Sequence, residues 1–335
     1  ALEIPCAKEG SEWVSVALEA GAYGRTLGRY ELSLRDGVRS AAGEAIAIDD
    51  QILGDPAVTT RIDALIANTE STVLAGYPFL DGDLFQVLTA SAFDIPRHDY
   101  DANNLTNLVA DAVREQVDVD VAVISNGGDV RDSLLRSKDG GFVVADTFIA
   151  TPLGIGPDGK IGYPIVSFYI TLFELKLVHE ATIADTGLEN NDYMLGFSGM
   201  KVDYDSSLGP YSRIRSISLY EAIDESDAGT VLFDIEQGGF LVDANTTLVE
   251  VATSLYIGQF LASFNLSPKD ESGARVELTD RIARDGSGNE IKLWSALQQK
   301  LASFAGTVPA MYDDSAANPL GPYWRRSVDR ARHPE

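Results

Sequence analysis

A helix, a buried strand and a glycine turn follow one another without interruption between residues 103 and 131, and this succession constrains the fold most strongly. In "NNLTNLVADAVREQ" the apolar residues recur at helical spacing on one face, and Asn103 or Asn104 can cap the first turn. The apolar run "VDVAVI" at residues 119–124 then predicts a buried strand. The segment therefore predicts a domain in which helices cover a sheet.

The strand runs directly into "SNGGDVR", residues 125–131, which is the strongest candidate for a binding turn. Asn126, Gly127 and Gly128 allow positive φ, so successive N–H groups can form a nest that binds an anion. Arg131 can reach back to the same place with a bidentate guanidinium, and Arg97 and the asparagines Asn103, Asn104 and Asn107 can complete a polar pocket. The alternative is a simple sharp turn followed by a surface arginine.

A second glycine motif, "GIGPDG" at residues 154–159, has the letters of a dinucleotide-binding fingerprint. That fingerprint requires a strand before it and a helix after it. Here Pro157-Asp158-Gly159 predicts a turn, and Pro164 argues against a helix that starts next. We expect "DTFIATPLGIG" and "YPIVSFYIT" to be extended, with the glycines in a loop between them. The motif is therefore not interpreted as a nicotinamide site.

Other segments predict further elements of both kinds. Apolar spacing predicts helices in "DPAVTTRIDALIANTES" with Asp55 as its cap, in "ITLFELKLVHEATIAD" with Thr171 as its cap, and in "EIKLWSALQQKLASF". "WVSVAL" and "RYELSL" predict a hairpin-like pair ending at residues 36–37, and "YMLGFSGMKVDYD" and "RIRSISLY" predict strands. "NTTLVEVATSLYIGQFL" is compatible with a strand or a helix. We expect an α+β fold with mixed α/β layers.

Charge excludes several classes of partner. The chain has 26 Lys and Arg against 51 Asp and Glu, a net charge of −25. Nucleic-acid backbones and anionic lipids need clustered positive charge, so neither is expected as a partner. Adaptation to salt explains the acidity equally well. The longest apolar run, residues 248–264, is interrupted by Glu250 and Gln259, so no membrane span is expected.

The residues do not predict a metal site or a catalytic centre. The histidines His98, His179 and His333 are scattered, and Cys6 is the single cysteine. His179 is interpreted as a packed or solvent-facing residue. "DGSGNE" at residues 285–290 lacks the glycine and the final ligand of a calcium loop, so we interpret it as a turn before the last helix.

The order of these motifs carries a family resemblance. The succession "NNLTNLVADAV", "VDVAVISNGGDVR", "ADTFIATPLGIG", "YPIVSFYITLFELK", "FSGMKVDYD" and "VEVATSLYIGQFL" resembles the C-terminal, substrate-binding domain of the 5′-nucleotidase / UDP-sugar hydrolase family, in its bacterial bifunctional metallophosphatase branch. "GAYGRTLGRYELSL" resembles the closing strands of the calcineurin-like metallophosphatase domain that precedes it there. The resemblance runs from about Trp13 to Tyr312.

This resemblance implies a domain organisation. Residues 1–37 would be closing strands of a metallophosphatase domain, 38–95 a helical linker, 96–312 the substrate-binding domain and 313–335 a C-terminal tail. The family's two divalent metal ions are bound by motifs that precede the strands seen here, so no catalytic residue, metal ligand or cofactor is assigned to this chain. The expected partners are a nucleotide or small phosphoester and the metallophosphatase domain of the same polypeptide. The expected location is periplasmic or extracellular.

The resemblance also implies site residues. The family's Asn-Gly-Gly-x-x-Arg turn matches Asn126, Gly127, Gly128 and Arg131, and Arg97 corresponds to an upstream arginine of the same site. The family's aromatic base clamp is not matched, because "PLGI" stands at residues 152–155 in place of Pro-Phe-x-Asn. "YIGQFL" likewise stands in place of Gly-Gly-Asp-x-Phe/Tyr. Phe197, Tyr163 or Tyr256 could substitute, although core packing is the expected role of these three.

Two functions follow from this comparison. In the first, the chain is the substrate-binding portion of a metal-dependent phosphohydrolase acting on nucleotides or related phosphoesters, and it binds without cleaving. In the second, the chain is a non-catalytic extracellular structural or assembly module derived from that domain. An open Arg131 would favour the first, and an Arg131 paired with Asp129 or Asp132 would favour the second.

Overall fold

The computed structural model describes residues 2–8, 11–17, 26–34, 38–49, 51–77, 81–98, 103–137, 139–184, 194–314 and 327–331. The chain divides into two compact units, Ala1–Thr69 and Glu70–Glu335. Helices and strands occur together in the layers of the second unit, which confirms the α+β prediction.

The first unit contains two antiparallel hairpins and most of a helix. Strand β1 (Leu2–Lys8) pairs with β2 (Ser11–Ala17), and β3 (Thr26–Leu34) pairs with β4 (Val38–Ala47). The predicted pairing of "WVSVAL" with "RYELSL" was wrong, and so was a helical linker beginning at residue 38. Arg29 and Glu44 lie directly opposite each other across β3 and β4 and form an ion pair of 3.4 Å, which supports this register.

Helix α1 (Pro56–Thr72) begins where the sequence predicts. The Asp55 carboxylate accepts hydrogen bonds from the N–H groups of Ala57 and Val58, at 2.8 and 3.2 Å. Proline at the first helical position loses no hydrogen bond, because that N–H has no partner within the helix. The prediction of this helix and its cap is confirmed.

A four-stranded mixed sheet forms the centre of the second unit, in the order β8 (Ile165–Thr171), β14 (Leu248–Ser254), β6 (Val121–Ser125), β9 (Leu195–Ser198). Strands β6 and β14 run parallel, and the outer strands are antiparallel to their neighbours. Side chains alternate between the two faces, so Ala122 and Ile124 enter one hydrophobic cluster while Val121 and Val123 enter the other. Helices α2 (Asn104–Val117) and α6 (Leu293–Ser303) cover the first of these faces.

The second face is covered by helix α4 (Leu172–Ala184) and by a five-stranded sheet. That sheet has the order β13 (Gly239–Phe240), β12 (Thr230–Asp234), β11 (Ile214–Leu219), β10 (Met200–Tyr204), β15 (Ser327–Asp329). Strand β15 pairs in parallel with β10, so the segment predicted as a C-terminal tail contributes a strand to this sheet. His179 on α4 is fully buried against the Phe197 ring, as a packed residue.

Three smaller elements complete the unit: β5 (Val87–Ala90), which pairs with β7 (Gly141–Val143), helix α3 (Val144–Ala150) and helix α5 (Leu255–Gln259). Residues 87–90, assigned to the linker by the sequence, thus belong to a sheet of the second unit. The expectation that "DTFIATPLGIG" is extended was wrong, because residues 144–150 are helical. The Asp146 carboxylate accepts a hydrogen bond from the Val143 N–H and stabilises the first turn of α3.

The G-x-G-x-x-G segment is a loop, as predicted, and it leads from the end of α3 into β8. The Gly159 N–H donates to the Gly156 carbonyl at 2.9 Å, which closes the Pro157-Asp158-Gly159 turn. A Cβ on Gly156 would lie 2.0 Å from the Lys292 ammonium nitrogen. Lys292 is fully buried and bonds both Asp158 and Glu290 at 2.7 Å. The glycines therefore allow the loop to close over a buried ion pair.

Candidate functional site

The N-terminus of α2 and the turn after β6 lie at the same end of the central sheet. Only residues 118–120 join the helix to the strand, so the two elements run in opposite directions. A Cβ on Gly196 would lie 2.4 Å from the Thr106 methyl group, and Gly196 pairs with Ile124 near the end of β6. The first turn of α2 therefore packs beside the end of β6.

The turn itself is tightly bonded. Gly127 has φ +82°, and its N–H donates to the Val130 carbonyl at 2.9 Å. The Asp129 N–H donates back to the Ser125 carbonyl at 3.0 Å, while the Asp129 carboxylate accepts from the Ser125 N–H at 2.9 Å. A Cβ on Gly128 would lie 2.6 Å from Ser125 Oγ, so a side chain at this position has no room. Both glycines are therefore required by the turn, one for its φ and one for its close packing.

The hydrogen bonds of the turn leave few N–H groups available to the predicted anion-binding nest. The N–H groups of Gly127, Asp129 and Val130 donate within the turn, and the Asn126 N–H donates to the Met194 carbonyl at 2.8 Å. The N–H groups of these four residues are thus engaged inside the chain, whereas that of Gly128 is not among these donors. Any recognition of an anion at this end must therefore depend mainly on side chains.

Arg131 is exposed and is held by the turn that precedes it. Its Nη1 donates to the Gly127 carbonyl, and its backbone N–H donates to the Ala150 carbonyl at 2.8 Å. Within the described ranges, Arg131 forms no ion pair with Asp129 or Asp132. Asp129 is instead turned into the interior, and Asp132 accepts a hydrogen bond from the Ser133 N–H. The guanidinium is therefore positioned at the surface of the turn.

Arg97 lies on a segment that pairs with the residues after the turn. Ile95 and Leu134 exchange backbone hydrogen bonds of 2.9 and 3.0 Å, and the Arg97 N–H donates to Ser133 Oγ at 2.9 Å. One residue further along, the His98 carbonyl accepts a hydrogen bond from the Asn126 side-chain amide. The backbones of residues 97–98 and of the turn are thus brought together, although 28 residues separate His98 from Asn126.

Several buried polar atoms at this end of the sheet have no hydrogen-bond partner among the described residues. They include both amide atoms of Asn104, the Nδ2 atom of Asn103 and the Oδ1 atom of Asn126. Asn103 caps α2 by accepting from the Thr106 N–H at 2.9 Å, whereas Asn107 continues the helix by donating its N–H to the Asn103 carbonyl. Buried polar groups are nearly always bonded in folded proteins, so unsatisfied groups concentrated at one end mark a place for a polar ligand or water.

Asp129 also belongs to this site, and its burial was not predicted from the sequence. Burial raises the pKa of its carboxyl to about 6, and hydrogen bonds from Ser254 and from the Ser125 N–H oppose that rise. Ser254 ends strand β14, which neighbours β6. No local pattern signals this burial, because it results from the pairing of two strands that are remote in sequence.

An aromatic pair lies next to the turn. The rings of Tyr163 and Tyr256 stack with centroids 5.2 Å apart, and Phe260 packs edge-on against Tyr256 at 5.2 Å. Burial raises the pKa of the Tyr163 hydroxyl, and the charges of Tyr256 and Asp129 raise it further. Phe197, the third aromatic residue considered from the sequence, is fully buried in the core. Of the three aromatic residues considered from the sequence, Tyr163 and Tyr256 are therefore the two that lie near this end.

The described part of the chain offers no cluster of three or more His, Cys, Asp or Glu side chains suited to a metal ion. No described helix is both long and apolar enough to cross a membrane.

Comparison with known proteins supports the resemblance. Residues 82–233 match the family model described as 5′-nucleotidase, C-terminal domain. Among solved structures, the chain is similar to a 5′-nucleotidase precursor from Thermus thermophilus, with a TM-score of 0.58 and 16% identity over 92% of this chain and 52% of that one. It is also similar to a sulfate thiohydrolase, SoxB, from Thermus thermophilus, with a TM-score of 0.50 and 17% identity over 85% of this chain and 43% of that one.

A search of curated protein sequences found no match. The chain spans about half the length of the solved proteins described above. Because the identities are only 16% and 17%, these similarities establish its fold alone. The family match covers the turn, both arginines of the predicted site and strand β6, which leads into the turn. Residues 82–233 are thus similar to the family of 5′-nucleotidase C-terminal domains.

Proposed function

We propose that this chain is the substrate-binding portion of a phosphohydrolase and that it holds the anionic group of a phosphoester at the end of β6. The observation that carries the proposal is the exposed Arg131 guanidinium, fixed by the Gly127 carbonyl beside buried amide atoms that lack partners. A guanidinium presents planar, paired donors to phosphate or carboxylate oxygens.

Electrostatics favour one specific place for an anion on this acidic protein. The net charge of −25 repels anions in general, so binding requires a local concentration of positive charge. Arg131 and the Arg97 segment supply it, and the N-terminus of α2 adds the positive end of a helix dipole at the same end of the sheet.

The substrate class follows from the family and remains part of the proposal. We expect a nucleotide or related phosphoester, bound in cooperation with a metallophosphatase domain of the same polypeptide that would bind two divalent metal ions and carry out hydrolysis. In this arrangement the described chain binds and orients the substrate but does not cleave it. A periplasmic or extracellular location fits this role.

The test is calorimetric titration of the full chain with inorganic phosphate and with AMP. Arg131→Ala should weaken both by about tenfold or more, since a charge-assisted hydrogen bond contributes roughly 1.5–3 kcal/mol. Arg131→Lys should restore part of the affinity by retaining the charge. Arg215→Ala is the matched control, because Arg215 pairs with Glu236 on the surface of β11. Equal affinities for wild type and Arg131→Ala would refute the proposal.

The structural-module hypothesis is distinguished by the same experiment. It expects Arg131 to be paired with a neighbouring carboxylate, and the geometry of Asp129 and Asp132 does not favour that arrangement. A chain that binds neither phosphate nor AMP, in wild type and variants alike, would support the module instead.

A further inference from the structure

A cavity of about 560 Å³ lies between the central sheet and α4, on the face opposite α2 and α6. Its sheet wall is formed by alternate residues of adjacent strands, among them Val123, Phe168 and Val251. Leu175 and Val178 of α4 form the facing wall, and Phe260, which is 39% exposed, lies at its margin. The volume falls within the range of about 300–1,000 Å³ that is typical of small-molecule sites.

One polar group in this cavity has no partner in the described structure. Thr253 lines the cavity two residues after Val251 on the same face of β14 and is 3% exposed. Its Oγ1 is buried and forms no hydrogen bond with a described residue. A hydroxyl that is withdrawn from water and left unbonded is costly, so a ligand that bonds it would gain both affinity and orientation.

The absence of charged side chains among the described residues that line the cavity limits which ligands it can bind. None of the described residues that line the cavity carries a charged side chain, and the polar ones are hydroxyl residues together with backbone groups. An ionised ligand would lose its hydration there without a counter-charge, which excludes carboxylates and phosphates. A neutral molecule keeps the apolar contacts and can donate to, or accept from, Thr253.

We propose that this cavity binds a neutral, largely apolar small molecule that places one hydroxyl or comparable hydrogen-bonding group against Thr253 Oγ1. This site differs from the phosphoester site proposed at the end of β6 in that its ligand is uncharged and its walls lie on the face that packs against α4, although Ser125, which ends β6, also lines the cavity. Its ligand class is that of aliphatic or aromatic alcohols.

The test is displacement of a neutral fluorescent probe, N-phenyl-1-naphthylamine, from the full chain by 1-decanol, decane and decanoate. We expect 1-decanol to displace the probe best and decanoate to be weaker by at least about a hundredfold, owing to the unpaired buried charge. Thr253→Val keeps the shape of the side chain and should weaken 1-decanol by about three- to tenfold, with little change for decane. Thr230→Val on the exposed start of β12 is the matched control.

A second variant fills the cavity. Val178→Trp should abolish binding of the probe itself, whereas Val231→Trp, at a strand position that is 41% exposed, should leave probe binding unchanged. Thermal unfolding verifies that each variant is folded. If Val178→Trp fails to fold, the proposal is still tested by the comparison of 1-decanol with decanoate and by the effect of Thr253→Val on 1-decanol. Absence of probe binding, or equal displacement by decanol and decanoate, would overturn the proposal.

Discussion

The ring of Tyr163 stacks on the ring of Tyr256 with a centroid separation of 5.2 Å and an angle of 17° between the planes. Each ring thus covers a face that a nucleobase would otherwise occupy. The position of the pair beside the Asn126–Arg131 turn makes this contact relevant to substrate choice.

The stacking of Tyr163 on Tyr256 predicts that the protein distinguishes only weakly between a ligand with a nucleobase and one without. We expect AMP and ribose 5-phosphate to bind within about threefold of each other, since an available stacking surface would add roughly 1–3 kcal/mol for the base. Tyr256→Ala exposes one face of Tyr163 and should strengthen AMP but not ribose 5-phosphate. Calorimetric titration measures the affinities for both ligands. If the wild type preferred AMP by more than about tenfold, the two tyrosine rings would have to separate and admit the base, which would contradict the prediction.

The close packing of the turn predicts that a single methyl group added at Gly128 destabilises the folded protein. Gly128→Ala would place its Cβ 2.6 Å from Ser125 Oγ and 3.1 Å from the Ile257 side chain, and we expect the free energy of unfolding to fall by about 1–3 kcal/mol. Urea unfolding measures this change. Gly209→Ala is the control, because its added Cβ meets no described atom within 4 Å. Similar stabilities for the two variants would contradict the tight packing of the turn.

The buried ion pair predicts a large effect of removing one charge. Lys292→Met leaves Glu290, whose side chain is 1% exposed, with only the exposed Arg284 guanidinium at 3.8 Å as a counter-charge, so the free energy of unfolding should fall by about 3 kcal/mol. Lys160→Met, on the loop that closes over Lys292, changes an exposed side chain and should alter stability by no more than about 0.5 kcal/mol. Thermal and urea unfolding compare the two. A mild effect at Lys292 would mean that water reaches Glu290 readily.

Asp129 predicts a stability that depends on pH. Its folded pKa of about 6 lies above the ordinary value of 3.8, so between these values the folded chain binds more protons than the unfolded chain. The contribution of Asp129 to stability is therefore present below pH 3.8 and is lost as the pH rises through about 6. The loss amounts to roughly 3 kcal/mol. Asp129→Asn should remove this slope in urea unfolding at several pH values, and parallel curves for variant and wild type would refute it.

Local sequence pattern predicted the elements whose signals are strong and local. Helices α2 and α4 follow from apolar spacing and caps, and the Thr171 hydroxyl accepts the Glu174 N–H at 3.2 Å as expected. The ambiguous segment after residue 245 contains both alternatives, since β14 is followed directly by α5. Strand β4 was missed because "VRSAAGEAIA" lacks β-branched residues in its centre, and its pairing with β3 overrides that local preference.

The site was predicted in part for the same reason. The glycines in the sequence predicted the turn at Gly127, and the family resemblance assigned Arg97 to the same site. Only the pairing of Ile95 with Leu134 explains their proximity, and such pairing of remote segments leaves no local signal. The burial of Asp129 and the contact of Tyr163 with Tyr256 depend likewise on strands β6, β8 and β14 lying side by side.

Lys292 has a consequence for the medium in which the protein can work. Mobile ions screen exposed charges over a Debye length of about 8 Å at physiological ionic strength, but they do not enter a closed interior. Because Lys292 is fully buried between Glu290 and Asp158, its hold on the loop that leads to Tyr163 should persist in concentrated brine. Surface ion pairs such as Arg29–Glu44 would weaken in the same brine. The loop is thus fastened independently of salinity on a chain whose surface is strongly acidic.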